Sequence, residues 1–325
     1  MKAIQDKHEF RSLRSAYGET LVELGKLDDR IVALEADLGK STMSILFQQA
    51  FPERYVQIGI AEQNMISVAA GMALAGKRPF ASSFAVFASG RAYDQIRSSV
   101  AIARLPVVVC GSSAGLSDFG DGKTHQSIDD IGIMRVLPHM TVLSPVDAVE
   151  VRLMMHAVLQ HPGPVYLRIN RADLPVLSDS HQPYRIGQMT RMREGSDVVV
   201  FATGVMVSKS LAAADQLALE GIEVRVVNVS TIKPLDIAAL LDNIKGVRAI
   251  VTAEEHSVHC GLGSAVLEAC AELPHPYRSL PFKMVAIQDK FGTSATSYEE
   301  LLEAYGLTAA AVADKVRAAL ADIPR

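Results

Sequence analysis

Three cysteines, Cys110, Cys260 and Cys270, are all the chain has, and no two are spaced as Cys-x-x-Cys. Each falls in an apolar or helical context, which argues against a disulfide framework or a zinc site and predicts reduced core thiols. Long apolar runs are missing as well. No uncharged stretch is long enough to span a bilayer, and Met1 to Glu9 has none of the apolar core that a signal peptide needs. Lysine and arginine are scattered and the formal net charge is −4, so neither nucleic acid nor an anionic membrane is expected as a partner. Internal repeats and low-complexity segments are absent too. These absences leave a soluble globular protein with a cytoplasmic location as the expectation, and a hydrophobic share of 49% with 21% charged residues agrees with it.

With 325 residues there is material for two domains of ordinary size. Helical spacing of Leu13, Ala16, Tyr17, Leu21 and Leu24 predicts a helix over 10–27, and Ile31 to Leu34 reads as a buried strand. The alternation continues with strands at 55–58, 78–84, 105–110, 140–143 and 164–168, and with helices at 62–72, 90–104 and 147–159. Near-continuous apolar strands separated by helices predict a mostly parallel sheet covered on both faces. Between Ala172 and Arg193 the periodicity fades and Pro, Ser, Asp, His and Gln accumulate, after which a second βα series runs to the end. The expected fold class is therefore α/β, with two doubly wound domains at 1–175 and 194–325 joined by a linker at 176–193.

Four places could carry chemistry. Glu62 is the carboxylate at the junction where a short β-type run stops at Gly59 and an Ala/Gly-rich helix begins. The carboxyl end of a buried strand is where open α/β sheets place ligands, although a Glu there could also serve only the helix dipole. Phe84 and Phe87 follow a strand and could offer ring faces to a flat heterocycle, or simply fill the core. The Gly-rich loop from Gly115 to Gln126 brings Asp121 and His125 together ahead of a helix, an arrangement that suits an acid/base pair. Arg171 follows the last strand of the first domain, where a guanidinium fork suits an anionic group.

The wording of these stretches is more specific than their positions. Gly59-Ile60-Ala61-Glu62-Gln63-Asn64-Met65 resembles the segment with which thiamine diphosphate enzymes of the transketolase group hold the aminopyrimidine ring of the cofactor, and Asp121-Gly122-Lys123-Thr124-His125-Gln126 resembles the Thr-His-Gln loop of transketolases and deoxyxylulose-phosphate synthases. The resemblance implies that Glu62 shares a proton with the ring nitrogen N1′, so that the exocyclic nitrogen can deprotonate the thiazolium C2. Ile60 and its apolar neighbours would keep that carboxylate poorly solvated. Phe84 and Phe87 match the Phe-x-x-Phe that packs on the aminopyrimidine, His125 and Asp121 match the residues at the substrate hydroxyls, and Arg171 matches an Arg that binds the anionic end of the sugar. The second half, with Glu254-Glu255-His256 and Gly261-Leu262-Gly263, is similar to the C-terminal domain of the same group, which serves mainly dimer contacts. Glu255, His256 and His259 are accordingly read as packing or interface groups.

The departures from the pattern are equally informative. A Gly-Asp-Gly also opens the family's magnesium and diphosphate motif, but that motif needs an Asn about a helix further on, and no Asn lies between Asn64 and Asn170. The resemblance thus covers the pyrimidine-binding and C-terminal parts alone. It implies no metal ligand in this chain, and a separate N-terminal subunit that carries magnesium and the diphosphate, in an α2β2 assembly. Gly90 stands where an aromatic is common, and Gly111 where standard transketolases carry a His for the sugar phosphate. The implied activity is transfer of a two-carbon ketol unit between sugar phosphates. Alternatives are the β subunit of a 2-oxo acid dehydrogenase, which favours His-Ser-Gln in the loop, a deoxyxylulose-phosphate synthase-like enzyme, and a non-catalytic partner subunit.

Overall fold

The fold is that of a computed structural model that describes residues 8–323. The outermost residues of the two expected domains, 1–7 and 324–325, and most of the stretch read against a signal peptide, lie outside the described residues. Seven strands form the first sheet in the order Thr231–Lys233, Thr141–Leu143, Val165–Arg168, Val108–Ser112, Arg78–Phe84, Ile31–Glu35, Tyr55–Gln57. Six of them run parallel. The seventh, Thr231–Lys233, pairs antiparallel with Thr141–Leu143 although it comes from the second half of the chain. A second sheet orders Phe282–Ile287, Ala249–Ser257, Val198–Ala202, Val224–Asn228 and Thr190–Arg193, the last antiparallel.

The apolar strands are buried on both faces because helices cover both. Val198–Ala202 is buried along its whole length, as a parallel strand between two helical layers must be. Leu13, Tyr17, Leu21 and Leu24 put one stripe of helix Leu13–Leu27 against the first sheet and against helix Ala148–Val158. Asp147 caps the latter helix by accepting the Glu150 N–H at 2.8 Å. One apolar cluster runs from Phe80 on the first sheet to Val198 on the second and takes in the helix residues Leu13 and Leu302, so the two sheets share a core. A polar tie crosses the same junction, where Asn228 donates to the buried Glu150 carboxyl at 3.0 Å.

Several boundaries differ from the periodicity. Phe10–Ser12 is a strand paired antiparallel with Asp173–Pro175, and the helix begins at Leu13 with Ser12 as its cap. The stretch without periodicity thus contains ordered pairing, which only a distant partner could impose. The helix expected at 90–104 starts earlier, as a wide π-type turn at Val86–Arg91, with a second such turn at Ile96–Ala101. Of the cysteines, Cys110 and Cys270 are buried thiols, but Cys260 is exposed on a turn with φ of 64°, so its apolar context did not make it a core residue. No helix among the described residues is long and apolar enough to cross a membrane.

Glu35 ends its strand fully buried. Thr42 donates to Oε1 at 3.4 Å, while Oε2 has no partner among the described residues. Burial pushes the carboxyl up to about 8, with hydrogen bonds from the Leu38 backbone and from Thr42 opposing it. The folded chain therefore keeps this proton through a pH range in which the unfolded chain, with the ordinary value of 4.5, has released it. More protons bound to the folded state means that stability falls as pH rises across that window. Glu35→Gln is expected to flatten this fall and to stabilise the chain at pH 8 by on the order of 3 kcal/mol, as measured by urea denaturation at several pH values. An unchanged slope would place the proton elsewhere.

Candidate functional site

The candidate residues lie at or beyond the carboxyl ends of strands of the first sheet. At its edge, strand Tyr55–Gln57 gives way to a bend at Gly59, whose φ of 82° suits glycine. The Gln57 amide oxygen pins the bend by accepting N–H groups from Gly59 at 3.0 Å and from Asp37 at 2.9 Å. Glu62 is then the first residue of helix Glu62–Leu74, favoured there by the helix dipole and not capped by any side chain. Its carboxylate is only 1% exposed.

Arg91 meets that carboxylate. Its Nη1 donates to both Glu62 oxygens, at 3.0 and 2.9 Å. The same guanidinium lies 4.5 Å from the Phe87 ring centroid, so the cation rests on an aromatic face while it neutralises a buried charge. Phe87 in turn is stacked beside Phe84, with centroids 6.2 Å apart and planes inclined by 17°. The wide turn at Val86–Arg91 is what sets Phe87 and Arg91 over one another; such one-turn insertions often mark sites where a helix has been re-aimed. Gly90, inside it, is exposed and has open space around its Cα.

His125 closes the other side. Its ring stands edge-on to both phenylalanines, at 6.1 Å from Phe84 and 5.3 Å from Phe87. Nδ1 lies 2.9 Å from Thr124 Oγ1, and Nε2 has no hydrogen-bond partner among the described residues. Arg171 packs 5.9 Å from the Phe84 ring and donates to Asp118 at 2.8 Å. The structure therefore brings Glu62, Phe84, Phe87, His125 and Arg171 into one chain of contacts. Asp121 is exposed on the loop, with its backbone N–H directed at Asp118, and the buried carboxylate that pairs with Arg171 is Asp118. Burial raises the Asp118 pKa above the ordinary carboxylate value, and Arg171 opposes the rise. Ile60 is 77% exposed at the bend, available to a neighbour and not packed within the chain.

Arg91 and Asp118 escaped the sequence reading because each acts through a partner far along the chain. The one local signal for Arg91 was its spacing from Phe87, four residues on. Gly111 has a plain steric reason: a Cβ there would lie 2.2 Å from the Tyr166 hydroxyl, which donates to the buried Asp130 at 2.8 Å. Any side chain at position 111 would have to displace that hydroxyl from Asp130.

Two family models match the chain: a transketolase pyrimidine-binding domain over residues 11–176, and a transketolase C-terminal domain over residues 187–312. The chain belongs to the transketolase family. A 6-deoxy-6-sulfo-D-fructose transketolase subunit, SqwH, from Clostridium sp. (strain MSTE9) is 43% identical over 93% of this chain and 92% of its own length. A putative transketolase C-terminal section from Methanocaldococcus jannaschii is 39% identical over 94% of this chain and 96% of its own. Among solved structures, a split-gene transketolase described as an inactive β4 tetramer superposes with a TM-score of 0.87 at 42% identity, covering 96% of this chain and 99% of that one. The chain thus has the extent and domains of the C-terminal subunit of a split transketolase, a thiamine diphosphate-dependent family.

Arg91 donates to both oxygens of the buried Glu62 carboxylate, so the two residues should be energetically coupled. Arg91→Met leaves a buried carboxylate without its partner and is expected to cost about 1–2 kcal/mol, the lower end applying because Arg91 is itself half-exposed. Adding Glu62→Gln should recover most of that loss. A double-mutant cycle by urea denaturation at pH 7 measures the coupling, and a value near zero would show the contact to be idle.

Proposed function

We propose that this chain is the half of a two-subunit transketolase that activates and covers the cofactor, and that the pair moves a two-carbon ketol unit from a ketose phosphate to an aldose. One observation carries the reading: a buried carboxylate engaged by a flat cationic N–H donor that lies over an aromatic ring. The aminopyrimidine of thiamine diphosphate offers that same chemistry, so the Arg91 guanidinium is a stand-in for it, and Glu62, Phe84, Phe87 and Ile60 would hold the ring. When bound, the cofactor supplies an electron sink for the carbanion left when a ketose carbon–carbon bond breaks.

The remaining work falls to the residues of this chain. Glu62, shielded from water, would share a proton with the ring nitrogen N1′. The two phenylalanine rings exclude water from that contact. With Nδ1 committed to Thr124, His125 is left with Nε2 to exchange a proton with a sugar hydroxyl or carbonyl oxygen. Arg171, held by Asp118, takes the anionic end of the sugar, and the exposed Asp121 of the same loop meets its hydroxyls.

Magnesium and the diphosphate belong, on this reading, to a separate N-terminal subunit in an α2β2 assembly, because the Asn of that motif is missing here. The relatives of matching length support it, among them the β4 tetramer described as inactive. A second reading concerns the substrate. The relative named for 6-deoxy-6-sulfo-D-fructose makes a sulfonate sugar a specific alternative to a phosphate, since a guanidinium accepts either anion.

The purified chain with thiamine diphosphate and magnesium is expected to show no ketol transfer, and the complex with its diphosphate-binding partner to form sedoheptulose 7-phosphate from xylulose 5-phosphate and ribose 5-phosphate. Turnover by the lone chain would refute the split site. A complex active on the sulfo-sugar alone would move the substrate, and one that cleaves 2-oxo acids would move the reaction. In the complex, Glu62→Gln should lower kcat by at least about a hundredfold with subunit assembly intact by gel filtration, and full activity would remove Glu62 from the proton transfer.

A further inference from the structure

Glu255 lies in the C-terminal half, on strand Ala249–Ser257, 2% exposed and outside the contacts that the chemistry above uses. Its carboxylate nevertheless reaches into the first half at two points. Oε1 accepts the Leu116 N–H at 2.7 Å, and Oε2 accepts the Asn170 side-chain amide at 3.1 Å. Leu116 opens the loop that carries Asp118, Asp121 and His125, and Asn170 immediately precedes Arg171. One carboxylate therefore gathers the two segments that hold every group proposed to touch the sugar.

The approach is close enough to dictate sequence. A Cβ on Gly115 would lie 2.3 Å from the Glu255 carboxyl carbon, and Gly115 has φ of 67°. The two ends of the loop are bridged to one another, Gly115 accepting from and donating to Ser127 at 3.1 and 2.8 Å, so fixing Leu116 fixes the whole loop. A second contact from the C-terminal half grips the far side: Gln126 donates to the Thr293 carbonyl at 2.9 Å, and the Ala295 N–H to the Phe119 carbonyl at 2.9 Å. Burying a carboxylate at such a junction is costly. Burial raises Glu255 to about 7, with the Arg168 guanidinium and the Leu116 N–H opposing the rise. An apolar residue would serve packing alone at lower cost.

We infer that Glu255 is a positioning residue for sugar recognition: through Leu116 and Asn170 the C-terminal domain fixes the spacing between the His125 loop and Arg171. This inference rests on the sugar-binding role proposed for those residues. It extends the part assigned to the C-terminal domain from contacts between subunits to control of the substrate end of the site, while leaving the cofactor end, around Glu62, independent.

The test compares Glu255→Ala, Glu255→Gln and Gln126→Ala with the wild type, each in complex with the partner subunit. Two readouts are taken: KM and kcat for xylulose 5-phosphate, and amide hydrogen exchange over residues 116–126. For Glu255→Ala the expectation is a rise in KM of about tenfold or more with kcat changed less than about threefold, faster exchange in the loop, and thiamine diphosphate affinity unchanged. Glu255→Gln keeps an acceptor for the Leu116 N–H and should recover most of KM. Gln126→Ala, at a less buried contact, should move KM and exchange in the same direction by less, and it carries the test if Glu255→Ala does not fold. Unchanged exchange and KM would overturn the inference, as would a fall in kcat at constant KM, or a Gln variant no better than Ala. Should the wild type transfer no ketol unit, the reading of the reaction fails, and loop exchange alone still decides whether Glu255 holds the loop.

Discussion

The arrangement depends on a buried polar junction between the two sheets. Arg168, at the end of the strand beside Gly111, donates to Asp130 at 2.8 Å and to the Glu255 backbone carbonyl at 2.9 Å, with both charged side chains almost wholly shielded from solvent. A charge pair in such a place contributes little net stability over an apolar equivalent, yet losing one partner strands the other at a cost of about 3–5 kcal/mol. Its geometry is therefore strongly specified. Tyr166 donates to the same Asp130 oxygen and fills the space above Gly111. These hydrogen bonds, together with the shared apolar core, fix the relative placement of the two halves.

The chain of contacts from Glu62 to Arg171 separates two electrostatic tasks along its length. At one end the Glu62 carboxylate is buried at a helix start, and among the described residues its charge is answered by Arg91, which lies over the Phe87 ring. At the other end Asp118 and Arg171 pair beside His125, where the loop is partly open. The phenylalanine pair lies between them and keeps the poorly solvated contact apart from the wetter one. A fold that draws one residue from each of several strand ends and loops can tune these environments separately, which is the general advantage of sites at the carboxyl edge of an α/β sheet.

Local pattern was enough to read much of this. Period and composition place helix Leu13–Leu27, strand Arg78–Phe84 and the alternating succession around them, because each of those elements is stabilised by burial of its own apolar stripe. It failed where a partner far away in sequence does the stabilising. Phe10–Ser12 looks like the start of a helix until Asp173–Pro175 pairs with it. Thr231–Lys233 is a strand of the first sheet contributed by the second half. The wide turn that holds Gly90 ends at Arg91, whose partner Glu62 lies 29 residues earlier, and nothing in its neighbours announces that.

The amino-acid sequence by itself determined the α/β class, the family, and the identity of Glu62, Phe84, Phe87, His125 and Arg171 as residues worth watching, since these follow from spacing and from motifs that are each contained within a dozen residues. Which carboxylate stands with Arg171, which cation answers Glu62, and what a side chain at position 111 would displace were decided only by the tertiary structure. The reason is physical. A buried charge takes whatever partner folding delivers within hydrogen-bond reach, and that reach is measured in space, across separations of 29 residues for Glu62 and Arg91 and 53 for Asp118 and Arg171, which periodicity does not encode.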